Sequence, residues 1–221
     1  MSARRWRPRR VSLTAPHAPA VTASGDVRLY GATITAHRQP TEVSSLNRIL
    51  FVCTGNICRS PAVEGIARVR AADAGLLLHF DSAGTHDYHI GEAPDSRTRA
   101  TARAAGTPVD DLRARQVSLE DFRQFDLILA ADHGHLRILQ GLQRKATSIA
   151  AQQSLAQVEL LLPWCGVTAA LEVPDPYYGP QAGFVQVQRL LERAVDGLLR
   201  RIRAQQAHSG SIDASKNAGG G

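Results

Sequence analysis

Cys53, Cys58, Arg59 and Ser60 fall within eight consecutive positions of the stretch CTGNICRSP, residues 53–61. The apolar run RILFV (48–52) leads into it, and PAVEGIARVRAADAG, which patterns as a helix, leads away. A loop that feeds a helix from a strand turns its backbone N–H groups toward one spot. With the helix dipole these amides form an anion site. Gly55 and Asn56 tolerate the left-handed conformations such a nest requires. Arg59 offers a planar fork matched to two phosphate oxygens. Cys53, at the strand's end, falls under the centre of the cradle. The field that holds an oxyanion there also favours a thiolate, and a thiolate is a nucleophile. Taken alone, Cys53 reads as a buried structural cysteine; the Cys-x5-Arg-Ser spacing before a Pro-led helix favours the nucleophile. Ser60 suits the helix N-cap, Pro61 the first helical position and Gly75 the C′ position. The Gly-Lys-Ser/Thr of a Walker phosphate loop is missing. A zinc site fits poorly, because Cys165 stands apart with no well-spaced histidine pair. No metal and no cofactor are implied.

The elements that must position this loop read as an α/β domain. Four short apolar runs, at 48–52, 76–80, 126–130 and 158–162, are continuous rather than alternating, as suits parallel strands buried on both faces. Helical stretches fall at 61–74, 95–105, 118–124, 132–144 and 182–203. The alternation predicts a single domain over 46–203 with a four-stranded parallel sheet flanked by helices. In open α/β sheets ligands sit beyond the carboxyl ends of the strands, which is where CTGNICRSP falls.

The net charge of +6 belongs to the ends of the chain. Residues 1–45 hold seven arginines against Asp26 and Glu42, and residues 203–221 hold Arg203 and Lys216 against Asp213. Between them, 46–202 balances 17 basic against 17 acidic residues, so the core has no electrostatic footprint for nucleic acid. The Arg-rich segment 1–45 lacks the apolar core of a secretory signal. It reads as a disordered extension, with a transit-like segment or a start codon set too early as alternatives. Residues 204–221, rich in Gly and Ser, read as a flexible tail. No apolar run reaches the roughly 20 residues that span a bilayer. Three cysteines form no disulfide framework and suit the reducing cytoplasm.

Four stretches, FVCTGNICRSPAVE, DSAGTHDY, RARQVSLEDFRQFDLILAAD and VPDPYYG, resemble the low-molecular-weight protein tyrosine phosphatase family, over about Arg48 to Arg201. The resemblance implies the phosphotyrosine phosphatase I-like fold and a two-step cleavage of phosphomonoesters. Cys53 would attack phosphorus to form a phosphocysteine. Thr54, Gly55, Asn56, Ile57, Cys58, Arg59 and Ser60 would form the phosphate cradle, with Arg59 catalytic. Asp175 would protonate the leaving phenolate and later activate water. It lies 175 − 53 = 122 residues from Cys53, so only a fold can join them. Ser60 would hydrogen-bond Cys53, and Asn56 would order the loop. Tyr177, Tyr178 and, in a more variable loop, Tyr88 would wall the cleft. Cys58 matches a second loop cysteine that can form a reversible disulfide with the nucleophile. His86 and His89 read as surface polar residues, and Cys165 as a packing residue. The implied partner is a phosphotyrosine protein, set against a bacterial tyrosine kinase; the sequence leaves the oligomeric state open.

Three other readings compete. Arsenate reductases share the fold and the loop but need further relay cysteines, which HDYHIGEAPDSRTRATARAAG and DHGHLRILQ lack, Cys165 alone being a poor substitute. Protein-arginine phosphatases share the mechanism, but carry Thr where this chain has Ile57, whose apolar lip suits an aromatic ring. A non-catalytic phosphate-binding protein would have no need of nucleophile, arginine, serine and acid together.

Overall fold

The computed structural model describes residues 27–29, 32–34, 46–149 and 154–217. The chain divides into two units, Met1–Glu42 and Val43–Gly221. Within the first, β1 (Val27–Leu29) and β2 (Ala32–Ile34) pair antiparallel, Val27 opposite Ile34. The remainder of the predicted disordered extension lies outside the described residues.

The second unit is built on four parallel strands, β3 (Arg48–Cys53), β4 (His79–Gly84), β5 (Leu127–Ala130) and β6 (Gln157–Leu160), in the order β4-β3-β5-β6. The two central strands are the two most apolar. Ile49 to Val52 and Leu127 to Ala130 are each at most 1% exposed, which only a strand covered on both faces achieves. Alternate residues serve opposite faces. Ile49 and Phe51 pack with Ile66, Leu191 and Leu198 on one side. Leu50 and Val52 pack with Phe122, Ile128 and Leu139 on the other. The first face is covered by α1 (Arg59–Asp73), α5 (Leu161–Trp164) and α6 (Gln181–Asn217), the second by α3 (Asp121–Gln124) and α4 (His133–Ile149). A further helix, α2 (Ser96–Ala104), is capped by Asp95, whose carboxylate accepts from the Arg97 N–H at 2.8 Å.

Among the boundaries that differ from the sequence reading, three have a clear local reason. The run LLLHF is not the second strand; β4 begins at His79. Leu76 belongs to the stop signal of α1. Gly75, at φ 65, donates its N–H to Ala72 O at 3.0 Å, and Leu76 donates to Ala71 O at 2.9 Å. That is the paired closure of a Schellman motif, in which the residue after the glycine packs back on the helix. Pairing then sets Cys53 opposite Gly84, so β4 must run to Gly84. At the other edge, β6 ends at Leu160 and Leu161–Trp164 turns into α5, because Pro163 has no N–H for a ladder. Finally, α6 runs past 203 to Asn217, into the segment read as a flexible tail. Ala204 to Ala207 are strong helix formers and carry it on.

The packing of α6 on the end of α5 leaves no room at Gly197. A Cβ built there would lie 1.8 Å from the Cys165 carbonyl oxygen. Gly197→Ala is expected to lower unfolding free energy by about 3 kcal/mol, measured by urea denaturation. An unchanged midpoint would mean that the helix approach is looser than described.

Candidate active site

β3 carries Cys53 to the carboxyl edge of the sheet, and the chain reaches α1 six residues later. No side chain caps α1. The first N–H groups of a helix have no partner within it, so at this terminus they remain available to a ligand. Ser60 is not the N-cap that its residue type suggests. It lies inside the first turn, with Cys58 preceding the helix, and its hydroxyl sits 3.1 Å from Cys53 Sγ.

The loop's shape depends on Asn56. It is the one non-glycine residue at positive φ (58°) among the described residues. Its amide nitrogen donates to Ser60 Oγ at 2.9 Å and Ser82 Oγ at 2.8 Å, and its oxygen accepts from the Arg115 N–H at 2.9 Å. Ser82 in turn donates to Glu64 Oε2 at 2.5 Å. A buried polar chain therefore runs from Cys53 through Ser60, Asn56 and Ser82 to Glu64, which is 1% exposed and also ion-paired to Arg68. Burial pushes the Glu64 carboxyl up to about 7, against the lowering pull of Ser82 and Arg68. Arg115 fixes the outer end by pairing with Asp81 and Asp121.

Arg59 is 5% exposed and fully engaged. One nitrogen donates to Asp132 Oδ2 at 3.1 Å and to Val173 O at 3.4 Å. The other donates to Asp175 Oδ2 at 2.9 Å and to Thr54 Oγ1 at 3.1 Å. Asp132 begins α4, and its Oδ1 accepts the His135 N–H at 2.9 Å. His135 Nε2 lies 2.8 Å from Thr54 Oγ1. Burial lowers the His135 pKa to about 4, so the ring is neutral at physiological pH.

Asp175 stands on a loop fixed at both ends. The Val173 N–H donates to Ala131 O at 2.8 Å, beyond the end of β5. Arg97 holds the far end, donating to Tyr177 O at 3.0 Å and Gly179 O at 3.1 Å with its guanidinium stacked on Phe184. Asp175 Oδ1 also accepts the Tyr177 N–H at 3.1 Å. These elements enclose a cleft of about 240 Å³. Its floor is Cys53, Thr54, Gly55 and Arg59, its wall includes Ile57 and Cys58, and its rim is Asp175 with Tyr88, Tyr177 and Tyr178. Burial pushes the Cys58 thiol up to about 12 and the Cys165 thiol likewise. Cys165 is in the core and does not line the cleft.

Every predicted site residue thus falls in or behind one cleft; Asn56 and Ser60 are the two behind it. His89 departs from its reading as a surface residue. It lines the cleft against Gly55, where a Cβ would lie 2.7 Å from the ring. Sequence reasoning passed over Asp132, His135, Ser82, Glu64 and Arg97. Asp132 had a usable signal, since it directly follows the carboxyl end of the run DLILA, where α/β sites form. The others act through partners distant in sequence.

The Glu64 carboxyl supplies a test of the buried chain. Its pKa rises from 4.5 to about 7 on folding, so the protonated form contributes stability that is complete below 4.5 and lost as pH rises through about 7. Stability of the natural chain is expected to fall from pH 5 to pH 8. Glu64→Gln, which keeps an acceptor for Ser82, should flatten that profile by on the order of 2 kcal/mol, read from thermal unfolding against pH. Parallel profiles would show that Glu64 does not take up a proton on folding.

Comparison with known proteins bears on what this cleft does. The family described as low molecular weight phosphotyrosine protein phosphatase matches residues 48–208. A relative from Streptomyces coelicolor, named a low molecular weight protein-tyrosine-phosphatase, is 43% identical over 162 residues, covering 72% of this chain and 94% of its own. The crystal structure of a protein tyrosine phosphatase from Entamoeba histolytica superposes with a TM-score of 0.64 at 34% identity, over 72% of this chain and 99% of that one. A structure described as a Drosophila arginine phosphatase superposes with a TM-score of 0.63 at 26% identity, over 69% of this chain and 96% of that one.

Proposed function

The chain belongs to the low-molecular-weight phosphotyrosine protein phosphatase family, and from that premise we propose that it hydrolyses phosphotyrosine in proteins, and small aryl phosphates, through a phosphocysteine at Cys53. The observation that carries the reading is the meeting, in one cleft, of Cys53 backed by Ser60 with Arg59 and Asp175. Entry of a phosphate dianion gives the Arg59 fork two oxygens in place of the Asp175 carboxylate, which frees Asp175 to take a proton and face the leaving group. The Cys53 thiolate attacks phosphorus as the P–O(aryl) bond breaks, and Asp175 gives its proton to the departing phenolate oxygen. Water then attacks phosphorus, passing its proton to Asp175. The P–S bond breaks, and the electron pair returns to Cys53 as a thiolate stabilised by the Ser60 hydroxyl. Arg59 and the loop amides from Thr54 to Ser60 hold the equatorial oxygens throughout. Tyr177, Tyr178 and Tyr88 flank the ring of the substrate. Cys58, next to the nucleophile's loop, is the partner for a reversible disulfide with Cys53.

The reading extends to a cytoplasmic setting, where the thiols stay reduced. It also extends to a protein tyrosine kinase as the opposing enzyme. Among the described residues, no helix is long and apolar enough to cross a membrane. Hydrolysis of phosphoarginine is the second reading, favoured by the likeness to the Drosophila enzyme. Against it, Ile57 lines the cleft as an apolar face suited to a flat ring. Arsenate reduction lacks support, because beyond Cys53 and Cys58 no thiol lines the cleft among the described residues.

Cys53→Ser is expected to abolish turnover of p-nitrophenyl phosphate. Asp175→Asn should lower kcat by about 10²-fold or more, as expected for loss of a general acid. The loss should be larger for phosphotyrosine, whose leaving group is more basic. Retained turnover in Cys53→Ser would sink the thiol mechanism. A higher kcat/KM on phosphoarginine peptides than on phosphotyrosine peptides would replace the proposed substrate.

A further inference from the structure

We infer that His135, on α4, is a positioning residue that acts through the Thr54 hydroxyl to hold the Arg59 guanidinium in place once Asp175 has left it. The inference rests on the phosphatase reading only in taking Asp175 to be the group that leaves. Four side chains form a closed ring. Arg59 donates to Thr54 Oγ1 at 3.1 Å, and Thr54 Oγ1 lies 2.8 Å from His135 Nε2. His135 Nδ1 lies 2.9 Å from Asp132 Oδ1, and Asp132 Oδ2 accepts from Arg59 at 3.1 Å.

The chemistry of the ring fixes its direction. His135 is 4% exposed, and its Nδ1 has no hydrogen-bond partner among the described residues, Asp132 Oδ1 lying 2.9 Å away outside hydrogen-bonding alignment. A bare nitrogen lone pair facing the Asp132 carboxylate would be repelled, so the proton belongs on Nδ1, although the contact is close rather than linear. Nε2 is then an acceptor and takes the Thr54 hydroxyl hydrogen. With its hydrogen committed to His135, Thr54 turns its oxygen lone pairs to Arg59. That bond matters because the same Arg59 nitrogen has two side-chain acceptors, Thr54 and Asp175. Asp175 must withdraw to serve as the acid. Thr54 is then the side chain left to orient that nitrogen toward phosphate oxygens. If Thr54 were free to rotate, the guanidinium would lose its alignment and hold Asp175 more tightly.

Geometry supplies two variants that separate positioning from bulk packing. His135→Asn places its side-chain amide near Nδ1 and loses the reach to Thr54. His135→Gln places a carbonyl oxygen near Nε2 and can accept from Thr54. Thr54→Val removes the same link from the other side with little change in shape.

The experiment measures binding of orthovanadate, which adopts the trigonal-bipyramidal geometry of the transition state, against inorganic phosphate, by calorimetry on the full chain. His135→Asn and Thr54→Val should each weaken vanadate and phosphate by about tenfold, the worth of one hydrogen bond to a charged group, because either oxyanion displaces Asp175 from Arg59. His135→Gln should restore vanadate binding. The double variant His135→Asn/Thr54→Val should be no worse than either single one, since both cut one link. Unchanged binding of vanadate and phosphate in Thr54→Val, or additive losses in the double variant, would overturn the inference. So would a failure of His135→Gln to recover binding. If His135→Asn does not fold, Thr54→Val and His135→Gln still decide it. Turnover of p-nitrophenyl phosphate by the natural chain tests the phosphatase reading separately, because oxyanion binding needs no catalysis.

Discussion

A guanidinium cannot be buried unpaired, and the burial of Arg59 organises the site. At 5% exposure the charge has lost its water, and the protein must replace it. It does so with Asp132 from the start of α4, Val173 O and Asp175 from the loop after α5, and Thr54 from the loop itself. These partners come from three separate stretches of chain, so satisfying one cation draws them to one point. The arrangement is incomplete by design in one respect. Asp175 is the most exposed of the paired carboxylates, 44% against 24% for Asp132, and is the partner that an incoming anion displaces most easily.

The second constraint is the backbone at Asn56. A positive φ is costly for a residue with a side chain, and here that conformation is held by three hydrogen bonds from the Asn56 amide. The same amide orders Ser60, which faces Cys53. The loop's backbone shape and the hydroxyl that faces Cys53 Sγ are therefore one mechanical unit. Its far end is the buried Glu64 carboxyl, which links the surroundings of Cys53 to a group whose pKa burial raises to about 7.

The rim has a different character. Tyr178 is 95% exposed and Tyr88 68%, so the walls of the cleft are presented to solvent rather than locked in the core. Tyr177 is steadier, because Arg97 grips its carbonyl and lies 5.8 Å over its ring. A buried floor therefore lies beneath an aromatic rim that is largely exposed.

The sequence by itself determined the local parts of this design. The strand RILFV, the loop after it, the clustering of Cys53, Arg59 and Ser60 within that loop, and the turn-forming Asp-Pro of VPDPYYG are all legible, because each rests on periodicity, on residue type or on spacing within a few positions. The neutral core and the parallel sheet follow from the same kind of signal. What the tertiary structure decided lies in contacts that no local pattern encodes. Ser60 has the composition of a helix cap, yet its hydroxyl faces Cys53, because α1 starts two residues earlier than that cap would place it. LLLHF has the composition of a strand, yet Leu76 closes a helix. Thr54 meets His135 across 81 residues, and Arg59 meets Asp132 across 73 and Asp175 across 116. Such pairings exist only once the strands are in register, since it is the sheet that brings the ends of β3 and β5 side by side and leaves a buried charge to be satisfied between them.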